Sequence, residues 1–117
     1  MTAGQKLRVD LDAALRNASA ELGRELEFDE AERHVIDQAV AAADRAAELT
    51  ACYRAELTRD PEPRPTALVK LAAEIRLCEK QAVDFVARVK LGLGAAKSPR
   101  HVRAALTRWP QHEQRAR

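Results

Sequence analysis

Aromatic side chains are almost missing from this sequence: two Phe, one Tyr and one Trp make up only 3% of its 117 residues. Large rings supply much of the volume of an ordinary globular core, so a core of that kind is excluded. Runs of β-branched and aromatic residues that could serve as strands are equally scarce, which excludes a sheet protein. No apolar stretch approaches the roughly 20 residues that cross a bilayer, so no membrane contact is expected. Nor does a basic-then-apolar start resemble a signal peptide. The expected location is cytosolic. There the two cysteines, which lack the spacing of a metal or redox site, should be free thiols. His34, His101 and His112 are scattered without a ligand pattern. No metal and no cofactor are expected.

What is present points one way. Charged residues reach 32%, and alanine, leucine, glutamate and arginine are the frequent residue types. That composition favours long helices or coiled coils, and the length allows one domain with tails. The fold class expected is all-α.

The net charge of +2 is too small to name a partner, but its distribution is informative. Residues 97–117 hold six bases (Lys97, Arg100, Arg103, Arg108, Arg115, Arg117) against the single acid Glu113. The rest of the chain is slightly acidic, so the whole basic excess sits in this tail. Such a tail suits nucleic acid or an acidic protein surface. A merely solvated terminus is the bland alternative.

Helical periodicity divides the chain further. Leu11, Leu15, Ala18 and Leu22 define a narrow apolar stripe in a first helix, Leu7 to Leu26, weakened at Gly23. Phe28-Asp29-Glu30-Ala31-Glu32 reads as a helix start, with Asp29 as the cap and Glu32 completing a capping box. From Glu30 to about Thr58 neither proline nor glycine interrupts. Ile36, Ala39, Ala43, Ala46, Thr50, Tyr53 and Leu57 then recur at alternating steps of three and four, a heptad seam.

The prolines Pro61, Pro63 and Pro65 must break that helix. A second one is expected from Thr66 to about Leu93, ended by Gly92 and Gly94. It carries Leu68, Leu71, Ile75, Cys78, Ala82, Phe85 and Val89 at the same steps. Folding the chain at the proline loop sets Ala46 against Cys78, Ala43 against Ala82, and Ile36 against Val89. Residue numbers across each pair keep a nearly constant sum along the whole seam. The expected architecture is a long antiparallel helical hairpin, about 30–58 and 66–93, with a short N-terminal helix and a basic C-terminal helix or tail. Its domains are 1–27, 28–96 (oligomerisation) and 97–117.

A two-helix hairpin buries only one stripe of each helix. Off the seam stand Val35, Val40, Ala47 and Leu49 on the first helix, and Val69, Ala72, Val83 and Val86 on the second. Left bare, they would form a larger apolar patch than monomers usually tolerate. The N-terminal helix can cover part of it, and neighbouring copies the rest. Val35, Val40, Leu49, Val69, Val83 and Val86 are therefore the candidate oligomer interface. A repeated lateral contact closes into a ring if the rotation allows; an intramolecular three-helix bundle is the alternative.

Ser98-Pro99 marks a further helix start, with serine as cap and proline first, and Pro110 stops it. Val102, Ala105, Leu106 and Trp109 share one face; Arg100 and Arg103 lie away from it. Too short to stand alone in water, this segment must dock. Val102, Leu106 and Trp109 are the candidate docking residues, and Lys97, Arg100, Arg103 and Arg108 the candidate DNA contacts.

Three stretches together resemble the small terminase subunits of tailed phages, particularly phages of high-GC Gram-positive hosts. They are Glu25-Leu26-Glu27-Phe28-Asp29-Glu30-Ala31-Glu32, followed by the heptad helix with Asp44 and Leu49; the helix from Pro65 to Leu91 after a charged loop; and the basic stretch Lys97 to Trp109. The resemblance covers nearly the whole chain, but its motifs are short and none is catalytic. It implies a homo-oligomeric ring that binds double-stranded viral DNA at a packaging site. The ring would present that DNA to a separate large subunit bearing the ATPase and nuclease, in the cytoplasm of an infected bacterium. Many members have an N-terminal helix-turn-helix, whereas residues 1–27 hold one helix and are slightly acidic. The competing reading is a helical regulator that dimerises through its hairpin and binds DNA or protein. An enzyme is not expected, because no Arg–carboxylate cluster lies at seam positions.

Overall fold

The computed structural model describes residues 1–97, which form three helices: α1 (Ala3–Leu22), α2 (Glu30–Leu57) and α3 (Pro65–Lys97). No strand occurs among the described residues, as the composition predicts.

Each helix boundary has a local cause. Thr2 Oγ1 accepts the Gln5 N–H at 3.0 Å while the Gln5 side chain accepts the Thr2 N–H at 2.8 Å. This capping box starts α1 at Ala3, earlier than the Leu7 expected from the apolar stripe. Gly23 ends it with φ +65°, a left-handed conformation that costs glycine little. Leu26 therefore lies outside the helix, not at its end as expected. Its N–H donates to Ser19 Oγ at 3.0 Å, and its side chain still packs on the core.

The box that opens α2 is the one the sequence predicts. Glu32 N–H donates to Asp29 Oδ1 at 2.7 Å, and Asp29 N–H donates to Glu32 Oε1 at 3.1 Å. Pro65 opens α3 at the position where its missing N–H costs nothing. The expected stop at Gly92 and Gly94 is not obeyed: α3 continues to Lys97. Leu93 lies between the two glycines and is only 8% exposed. Burying a leucine is worth about 1.5–3 kcal/mol, enough to offset roughly 1 kcal/mol of helix propensity lost at each glycine.

α2 and α3 run antiparallel. At one end Gly92 lies beside Glu32, and Ile36 shares a cluster with Val89 and Leu93. At the other end Arg64 grips Glu56. Of the seam residues, Ile36, Ala39, Ala46, Cys78, Ala82 and Val89 are buried.

α1 lies across one half of this hairpin only. Its start meets Val40 and Asp44, and Arg8 reaches Asp37 at 2.8 Å. Leu11 and Ala18 then pack with Phe28, Ile36, Val89 and Leu93 in the principal core. α1 thus runs opposite to α2, from Asp44 back towards Phe28. At about 1.5 Å per residue it covers some 30 Å. Beyond Asp44, towards the loop, the described residues form a layer only two helices thick.

Candidate self-association and nucleic-acid surfaces

The six off-seam residues singled out from sequence fall into two groups. Val35, Val40 and Val86 pack, partly buried, against the three-helix core. Val69 and Val83 stand out on α3, 70% and 65% exposed, and Leu49 is half-buried. Leu77 and Leu91, which the periodicity reading passed over, are exposed on the same helix. Val69, Leu77, Val83 and Leu91 fall within about a third of the circumference of α3 at 3.6 residues per turn. Counting turns from Val69 would have found this outer stripe; looking only beside the seam did not.

A shallow groove continues the line of α1 past its N-terminus. Ala3 borders it; Ala43, Ala46, Ala47, Thr50 and Ala51 line it from α2, and Ala82 and Val83 from α3. Two charged side chains flank it, Arg54 and Glu79. Neither has an ion pair or hydrogen bond among the described residues. Small side chains make the groove, since methyl groups leave the two backbones close and the surface above them hollow.

Asp44, one of the residues that carry the terminase resemblance, has a structural task. α1 has no acid in its own first turn. The carboxylate of Asp44 supplies one from α2, accepting the Gly4 N–H at 2.7 Å, where a helix N-terminus favours negative charge.

At the hairpin loop, buried Glu56 accepts the backbone N–H and Nε–H of Arg64, both at 2.9 Å, and its Nη2–H at 3.0 Å. These side-chain and backbone hydrogen bonds from Arg64 hold the Glu56 carboxyl down at about 2, against an ordinary 4.5. Sequence periodicity held no hint of this contact. It closes the loop and has no outward reach.

Cys52 is exposed, Cys78 is buried, and both are free. Among the described residues no group of His, Cys, Asp and Glu could hold a metal ion, and no helix is long and apolar enough to cross a membrane. No protein family, curated protein or solved structure matches the chain. Lys97 is the last residue of α3. Its side chain, and the remaining candidate contacts Arg100, Val102, Arg103, Leu106, Arg108 and Trp109, lie outside the described residues.

Proposed function

We propose that this chain is the small subunit of a viral terminase. It assembles with copies of itself into a ring, binds double-stranded DNA at a packaging site, and delivers it to a separate large subunit. In this reading it does no chemistry of its own and works in the cytoplasm of an infected bacterium.

The observation that carries the proposal is the asymmetry of the hairpin. α1 seals one face of one half, while the outer face of α3 exposes Val69, Leu77, Val83 and Leu91 along its whole length among the described residues. A molecule with so small a core and so long an exposed stripe gains by assembling. The basic excess of residues 97–117, repeated in every copy, gives such an assembly a concentrated positive rim for phosphate backbones.

The competing reading is a dimerising regulator, favoured by the apolar groove between α2 and α3. Native mass measurement separates the two, with and without DNA carrying a packaging site of the virus concerned. A closed assembly of many copies that retains the DNA supports the terminase reading. A dimer that ignores the packaging site overturns it.

A further inference from the structure

We infer that the groove beyond the N-terminus of α1 is a two-fold contact in which a second copy of this chain lays its own uncovered hairpin half, antiparallel. The inference stands apart from DNA binding and concerns only how two copies meet.

The same face of the hairpin is treated differently along its length. From Phe28 to Asp44 a third helix seals it, and the Gly4–Asp44 hydrogen bond marks where that layer stops. Past that point the face continues as Ala43, Ala46, Ala47, Thr50, Ala51 and Ala82, and no described residue lies over it. A second hairpin half supplies the missing layer and turns two helices into four. Small side chains on both surfaces allow close approach.

Charge selects this occupant. Arg54 is the lining residue of α2 nearest the loop. Glu79, one turn from Val83 on α3, lies towards the α1 end of the groove. Thr50 stands between the two levels. In a two-fold contact, if residue i of one copy meets residue j of the other, then j also meets i. An axis across the helices at the level of Thr50 exchanges the two ends of the groove. Arg54 of each copy then comes level with Glu79 of the other, so two side chains with no ion pair among the described residues meet twice between chains. DNA would suit Arg54 but be repelled by Glu79. Such a pairing closes on itself; a ring needs a further contact, for which Val69, Leu77 and Leu91 remain exposed on α3.

The test uses the full chain and two charge reversals, Arg54→Glu and Glu79→Arg, with native mass and helical circular dichroism as readouts. The parent should contain an even number of copies. Each variant alone places like charges opposite each other and should fall to half the parent's mass, with its helicity kept. Mixed in equal amounts, the variants are complementary. At one site the introduced glutamate faces the introduced arginine, and at the other the native Arg54 faces the native Glu79. The mixture should regain the parent mass, which a misfolded variant could not do. A monomeric parent, an odd number of copies, or a mass that neither reversal changes would overturn the inference. So would a mixture that stays dissociated. Loss of DNA binding alone would touch only the terminase reading.

Discussion

At Gly4 the chain has room for a hydrogen and nothing larger. A Cβ there would come within 2.6 Å of Val40 Cγ1 and 2.7 Å of the Val40 carbonyl oxygen, closer than packed atoms allow. Alanine is the better helix former by about 1 kcal/mol, yet Gly4→Ala should destabilise the protein, because α1 must lift away from α2. Overpacking of this kind costs about 1–3 kcal/mol, and urea unfolding of the variant measures it. A more stable variant would mean that α1 does not sit this close. Glu56 gives a prediction in pH. Its carboxyl is depressed to about 2 in the folded chain, so its contribution is fully present above the ordinary value of 4.5 and is lost as pH falls towards 2. Melting temperatures of the parent and of Glu56→Gln should differ at neutral pH and converge through that window. A constant gap would show that the Arg64 contact is not the cause.

Between α2 and α3 the prediction is one of register. Ala46 is expected to face Cys78, and both are buried. In a Cys52→Ser background, Ala46→Cys should therefore oxidise to an intramolecular disulfide with Cys78, which requires Cα atoms within about 7 Å. Failure to cross-link, with a bond forming instead from a cysteine placed one layer away, would shift the register. The sequence pattern marks Ala43 as the next layer, but Ala43 is half-buried at the groove and Ala42 is buried instead. Ala42→Leu should therefore overpack this stretch, at about 1–3 kcal/mol in urea unfolding. Much of this element-level structure was legible because heptad spacing, a capping box at Asp29 and a proline loop are local signals. The position of α1 was not legible. It depends on Gly4 fitting beneath Val40 and on Asp44 meeting a helix end forty residues away, and neither leaves a periodic trace. The glycines near the end of α3 misled for the converse reason: propensity is local, but the burial of Leu93 is tertiary. The groove escaped notice because an alanine reads equally well as core and as surface.

For the whole molecule, charge placed at Val69 or Val83 should shrink the assembly while leaving helicity intact. Val40 serves this purpose less well, since it packs against Gly4 and a charge there would disturb α1 first. Equal elution of the parent and the Val69→Glu and Val83→Glu variants would rule out the outer face of α3 as a contact. Removing residues 97–117 should leave the assembly whole but weaken DNA binding, and the salt dependence should flatten with it. Undiminished affinity across a salt series would assign the contact to the helices instead. The alanines of the hairpin have one more consequence. Through the middle of α2, successive layers present nearly the same methyl-covered profile, so that helix by itself is a smooth rail. The larger side chains of α3, Ile75 and Phe85, are the teeth that ride on it, and the two ends are the detents: Phe28 packs with Leu93 at one, and the Glu56–Arg64 clasp holds the other. Loosening either detent should let the helices shift against each other before they come apart.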